Sequence, residues 1–161
     1  MVVTKSVIIK PVTGDEANHL LRQSDDYMAS LYPAESNHLV DSFALRGKGA
    51  RFIGAFLDDV CAGCVGVRFF QDSPPYGEIK RLYVDPAYRG KAIASKLMAE
   101  IEQVTIAEGI AMVRLETGVL QKAAIGLYES LGYCHIQPFG SYLDDPLSLF
   151  MEKHLVPSAP A

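Results

Sequence analysis

Apolar positions recur along this chain with two periods, and the changes between them predict where strands give way to helices. Val7 to Val12 reads as a first strand, closed by the Thr13-Gly14-Asp15 turn, where Thr13 or Asp15 is placed to cap a following helix. From Glu16 onward, Ala17, Leu20, Leu21, Met28 and Leu31 fall at roughly helical spacing until Pro33, whose ring cannot continue a helix. A second short helix is predicted over His38 to Leu45, and Arg46-Gly47-Lys48-Gly49 breaks the chain after it. Arg51 to Leu57 and Val60 to Phe70 are apolar runs joined by Asp58-Asp59, which predicts an antiparallel hairpin. Gln71 to Gly77 carries two prolines and a glycine and is predicted as a loop, with a strand from Glu78 to Val84.

The period then becomes helical. Ile93, Leu97, Ile101, Val104 and Ile106 recur along Ala92 to Ala107, with Glu108-Gly109 as a stop. A strand Ala111 to Glu116, a helix Lys122 to Leu131 ended by Gly132, a strand Tyr133 to Phe139 and a last strand Leu147 to Leu155 complete an α+β chain with a mixed sheet.

Composition narrows the classes. At 161 residues the chain has room for one domain, predicted over residues 1–156, with Pro157 to Ala161 as a disordered tail. The balance of 49% hydrophobic and 21% charged residues is that of a folded globular protein. A net charge of -4 argues against a nucleic-acid partner or an anionic membrane surface. No apolar run approaches the length of a membrane span, and Lys5 and Lys10 interrupt the N-terminal apolar stretches. Cys61, Cys64 and Cys134 form no even disulfide set, so a reducing, cytoplasmic setting is expected.

Candidate chemistry starts where Glu78-Ile79-Lys80-Arg81-Leu82-Tyr83-Val84 passes through Asp85-Pro86-Ala87-Tyr88 into Arg89-Gly90-Lys91-Ala92-Ile93-Ala94. A strand, a tight turn and small residues opening a helix aim free backbone N–H groups at one point, where the helix dipole also favours an anion. Such a point suits a pyrophosphate, with Arg89 and Lys91 adding positive charge; simple packing of small residues is the alternative. The spacing fits neither a Walker loop nor a Rossmann fingerprint.

These residues resemble the GNAT superfamily of acetyl-CoA-dependent N-acetyltransferases, whose phosphate-binding motif is R/Q-x-x-G-x-G/A. Arg89 and Ala94 match it, and Ala92 stands where the family usually has glycine. The substitution is expected to be mild, on the view that a residue in the first helical turn needs no positive φ. Leu115-Glu116-Thr117-Gly118 followed by Gln121-Lys122-Ala123-Ala124-Ile125-Gly126-Leu127-Tyr128-Glu129-Ser130-Leu131-Gly132-Tyr133 is similar to the family's second signature, N-x-x-A-x-x-L-Y-E-x-L-G-F/Y, with Gln121 in place of Asn. The resemblance implies a GNAT-like mixed, mostly antiparallel central sheet of about seven strands, splayed between the fourth and fifth and flanked by about four helices.

It also implies acetyl-CoA as co-substrate, no metal, and direct transfer of acetyl to a primary amine in a ternary complex. A small-molecule amine such as an amino acid is the expected acceptor; a protein or peptide amine, or a noncatalytic acyl-CoA sensor of the same fold, are the alternatives. An alkylammonium must lose its proton before it can attack, and Glu78 matches the general-base glutamate of some members. An ion pair with Lys80 or Arg81 is the other reading of Glu78. Tyr128 matches the general-acid tyrosine that protonates the departing thiolate, with core packing as its alternative. By the same resemblance, backbone groups of Leu82, Tyr83 and Val84 hold the pantetheine arm and polarise the thioester, Gly90, Ala92, Ile93 and Ala94 line the phosphate site, and Gln121 contacts the cofactor from across the splay.

Asn37 and His38, in the segment where the family places its acceptor loop, are candidates for substrate contact, against a simple helix cap. Arg81 and Arg68 are placed to pair with a substrate carboxylate or to form structural ion pairs. Cys61-Ala62-Gly63-Cys64 has the spacing of half a metal or redox site but no second pair, so strand packing is expected. Asp144-Asp145-Pro146 reads as a turn with no function implied. A homodimer would pair through the final strand, with no interface to name from the sequence.

Overall fold

The computed structural model describes residues 6–36 and 41–156. The order is β1 (Val7–Pro11), α1 (Asn18–Leu31), β2 (Ala50–Leu57), β3 (Val60–Phe70), β4 (Tyr76–Val84), α2 (Ile93–Ala107), β5 (Met112–Gly118), α3 (Lys122–Ser130), β6 (Cys134–Ile136) and β7 (Ser148–His154), with short 3₁₀ turns at Ala34–Ser36 and Pro86–Tyr88. The seven strands form one sheet in the order β1-β2-β3-β4-β5-β7-β6. All neighbours are antiparallel except β4 and β5, which run parallel.

β2 is buried along nearly its whole length and β3 from Cys61 to Val67, which is why their sequences read as apolar runs and not as alternating ones. Two cores form. Leu20 and Leu21 of α1 pack with Phe52, Phe56, Cys61 and Cys64, while Leu97, Met98 and Ile101 of α2 pack with Val65, Val67, Ile79, Val113 and Leu115. A smaller aromatic cluster of Tyr76, Met112, Phe139 and Phe150 sits under the chain that leads from β6 to β7.

Four expectations change. Neither Thr13 nor Asp15 caps α1, which starts after Ala17 with no side-chain cap. The described part of the helix expected over His38 to Leu45 is a turn, in which the Ala44 N–H donates to Asp41 Oδ1 at 2.9 Å. Three α-helices therefore stand among the described residues. β4 begins at Tyr76, two residues inside the predicted loop, because Tyr76 pairs with Phe70 across the hairpin. β6 keeps only Cys134–Ile136 of the strand predicted to Phe139; Pro138 lacks the N–H a ladder needs, and Gly140 turns the chain at φ 59°.

Candidate active site

The site is built by two irregularities in β4. Against β3, Cys64 faces Tyr83 and Gly66 faces Lys80, so three steps along β4 match two along β3 and one extra residue bulges there. Arg81 takes the left-handed conformation at φ 62°, uncommon for a residue with a Cβ. On its other side β4 pairs with β5 only at Gly77 with Val113 and Glu78 with Arg114, after which the two strands part. A passage of about 80 Å³ lies in the gap, bounded by Arg81, Leu82, Glu116, Thr117, Gln121 and Tyr128.

A cleft of about 680 Å³ opens beside this gap. Leu82, Tyr83 and Val84 line it from β4, and Gln121 from the start of α3. Arg89, Gly90, Ala92, Ile93 and Ala94 line it where the chain enters α2, while Lys91 is exposed and does not line it. Gly90 turns at φ 85°, a conformation that glycine adopts without strain. Ala92 corrects the sequence reading: it is the N-cap of α2 and sits at φ 59°, in the left-handed region, with no side-chain cap. Glycine would hold this position freely, whereas alanine's Cβ meets the following carbonyl at a cost of about 1–2 kcal/mol. The uncapped first turn presents backbone N–H groups to a cleft edged by small residues and Arg89, so the residues present fit an anionic pyrophosphate.

Tyr128 reaches the gap from α3. It is only 7% exposed and packs edge-on against Tyr133, with ring centroids 5.7 Å apart. Burial pushes its pKa up from the ordinary value of 10.0, and the negative charge of Glu116 pushes the same way, so the phenol keeps its proton. Its hydroxyl makes no hydrogen bond among the described residues. Gln121 Nε2 reaches Thr117 Oγ1 at 3.4 Å, so its side chain stays at the gap between β5 and α3.

A second cavity, of about 850 Å³, shares Lys80 with the passage and contains Glu78, 4% exposed. The Tyr142 hydroxyl donates to Glu78 Oε2 at 2.5 Å and accepts from Lys80 Nζ at 2.8 Å; the ammonium is 3.6 Å from the same carboxylate oxygen. Burial, then the charge of Glu78, hold the Tyr142 hydroxyl above the ordinary tyrosine value. No sequence pattern marks Tyr142, since 64 residues separate it from Glu78 and no local pattern joins them.

The Arg81 guanidinium, a sequence candidate for substrate contact, donates to Asp25 Oδ1 at 2.7 Å and to the Leu21 carbonyl at 3.1 Å, tying β4 to α1. Asn37 and His38 lie outside the described residues. Cys61 and Cys64 both join the α1-side core, brought together by a register shift of β3 against β2 between Ala55 and Phe56. Burial raises the Cys61 thiol to about 11 and pushes Cys64 higher still, which leaves both protonated and poor nucleophiles. Among the described residues no group of three or more His, Cys, Asp or Glu is placed to hold a metal ion.

A sheet parted between two parallel strands, with an anion-suited helix opening on one side of the part and a buried tyrosine within it, is the architecture of an acyl-CoA-dependent acyltransferase. Residues 17–133 match the acetyltransferase (GNAT) family, and the chain belongs to it. The IAA acetyltransferase of Azospirillum brasilense is 43% identical over 141 residues, covering 88% of this chain and 92% of that protein. A Klebsiella pneumoniae protein assigned as an acyl-CoA N-acyltransferase superposes with a TM-score of 0.79 at 30% identity, over 94% of this chain and 98% of its own. The PaiA N-acetyltransferase of Thermoplasma acidophilum, solved in complex with coenzyme A, shares the fold with a TM-score of 0.73 at 22% identity, over 92% of this chain and 99% of its own. The chain is thus an acyltransferase with the GNAT fold.

Proposed function

We propose that this acyltransferase moves the acetyl group of acetyl-CoA directly to the primary amine of a small molecule, with both substrates bound together. What supports this reading is that the passage between β4 and β5 shares Leu82 and Gln121 with the cleft and Lys80 with the cavity, and so joins the two. Two ligands, one in the cleft and one in the cavity, can therefore meet at the gap without a covalent enzyme intermediate. The buried, protonated thiols at Cys61 and Cys64 favour no such intermediate either.

Acetyl-CoA supplies the acetyl group as a reactive thioester. The opening of α2, with Arg89, Gly90, Ala92, Ile93 and Ala94, would hold its pyrophosphate, and Lys91 would add long-range positive charge from the rim. Leu82, Tyr83 and Val84 would offer backbone groups to the pantetheine arm, with Gln121 facing them across the gap. Glu78 takes the proton of the attacking ammonium: Tyr142 and Lys80 gather at Oε2 and leave Oε1 open to a new donor. Tyr128 gives its proton to the departing sulfur, a role that its buried, un-ionised phenol suits.

The test is release of CoA thiol from acetyl-CoA in the presence of amino acids, polyamines, aminoglycosides and peptide N-termini, with Tyr128→Phe and Glu78→Gln alongside. Turnover with one acceptor class that both substitutions depress supports the reading. Turnover indifferent to both removes the two roles.

A further inference from the structure

We infer that the acceptor cavity selects an amine that also carries a carboxylate, and that Arg68 is the residue that reads the carboxylate. The inference rests on the acetyl-transfer reading above and deepens it by naming the acceptor class. Arg68 on β3 lies directly opposite Glu78 on β4. Directly paired residues of an antiparallel ladder project from the same face with Cβ atoms about 4.5–5.5 Å apart, and both side chains line the same cavity. A guanidinium and a carboxylate on one face of neighbouring strands are thereby placed to bind the two ends of one amino acid.

Charge bookkeeping in the cavity singles Arg68 out. Glu78 and Lys80 lie 3.6 Å apart and offset each other. Asp145 accepts from Ser36 Oγ at 2.8 Å and from the Leu147 N–H at 2.8 Å. Arg114, behind the aromatic wall, is paired with Glu152 at 3.1 Å. Arg68 alone of the cavity's cations makes no ion pair among the described residues. Arg68 is half-buried and its guanidinium carbon lies 5.4 Å from the centre of the Phe70 ring, a cation–π contact that favours one orientation of the group. A planar fork held in that way is suited to a bidentate carboxylate. Glu35, Asp72 and Asp144 are exposed at the mouth, where water screens them. Phe70 stacks on Tyr76 with centroids 5.1 Å apart, and Tyr76 meets Phe139 edge-on at 5.5 Å, which gives the cavity a wall for an apolar or aromatic side chain.

The experiment compares matched acceptors that differ only in the carboxylate, L-phenylalanine and 2-phenylethylamine, with the diamine putrescine as a third arm. Steady-state acetylation at saturating acetyl-CoA is measured for the native chain, Arg68→Gln and Arg68→Lys. Because the two aromatic amines have different intrinsic reactivity, each is compared with itself across the variants. The expected result is a loss of about tenfold to a hundredfold in kcat/KM for phenylalanine in Arg68→Gln, carried mainly by KM, with phenylethylamine changed by less than about twofold. Arg68→Lys should recover part of the loss, since it keeps the charge and not the fork. A loss of equal size for both aromatic amines would make Arg68 structural and overturn the inference. A preference for putrescine or phenylethylamine that ignores Arg68 would overturn it too while leaving acetyl transfer standing. No turnover with any amine would overturn both readings.

Discussion

Replacing Tyr128 with phenylalanine separates catalysis from packing more cleanly than any other change in the site. The ring would keep its edge-on contact with Tyr133, a contact of about 0.5–1.5 kcal/mol in aromatic pairs generally, and only the hydroxyl would go. That hydroxyl makes no hydrogen bond among the described residues, so its removal exposes no orphaned partner. Stability should stay within about 0.5 kcal/mol of the native chain, a shift of about 2 °C or less in the thermal midpoint for a domain of this size. The rate should behave oppositely. If the phenol protonates the leaving sulfur, kcat falls by about 10²–10⁴, equivalent to about 2.7–5.5 kcal/mol of barrier. The assay pairs thiol release under saturating acetyl-CoA with a thermal melt of the same sample. A kcat within about twofold of native would refute the acid role. A large fall in the melting temperature would show that the hydroxyl is a packing group after all.

Other substitutions test the elements that hold the site. Ala92→Gly should relieve about 1–2 kcal/mol of left-handed strain, offset by about 0.4–1 kcal/mol of added unfolded-state entropy, so the melting temperature should hold or rise and acetyl-CoA titrations should show binding no weaker; a fall of about 1 kcal/mol, as for glycine inside a helix, would contradict the observed φ. Asp25→Asn should destabilise the chain by about 1–3 kcal/mol in urea melts, because the Arg81 side chain, 3% exposed, loses its charged partner, while the 52% exposure of Asp25 keeps the effect below that of a fully buried pair. Tyr142→Phe should lower activity while acetyl-CoA binding, followed by calorimetry, is unchanged, since it removes the hydroxyl between Glu78 and Lys80. Stability should also fall at alkaline pH. Tyr32, Tyr76, Tyr83, Tyr128, Tyr133 and Tyr142 all have pKa values raised, chiefly by burial. The folded state therefore keeps protons that the unfolded state releases from about pH 10 upward, so stability is full below that pH and falls above it; phenolate absorbance from more than two of the eight tyrosines near pH 10 without unfolding would contradict this.

The legible parts of the chain were those written in local periodicity. The apolar runs of β2 and β3, the helical recurrence of α2 and the small residues at its opening sit close to where the sequence predicts them. What stayed hidden depends on distance or on backbone geometry. Tyr142 meets Glu78 across 64 residues, and Asp25 meets Arg81 across 56, so neither partnership leaves a mark in a sequence window. The left-handed turns at Arg81 and Ala92 arise from the bulge and the helix entry, and their side chains give no hint of φ. The helix predicted through Leu45 failed for a different reason: in the described residues 41–45 only Leu45 is buried, so a helical face there would have had little core to cover.

Acetyl should pass directly between ligands that meet at the gap between β4 and β5. The most direct measurement is initial-rate kinetics of CoA release with acetyl-CoA and the best amine varied together, joined to mass spectrometry of the protein after incubation with acetyl-CoA alone. Direct transfer predicts intersecting double-reciprocal lines, an N-acetylated amine formed in step with CoA, and no acetyl adduct on the chain. Parallel lines with an acetylated cysteine or other side chain would contradict it.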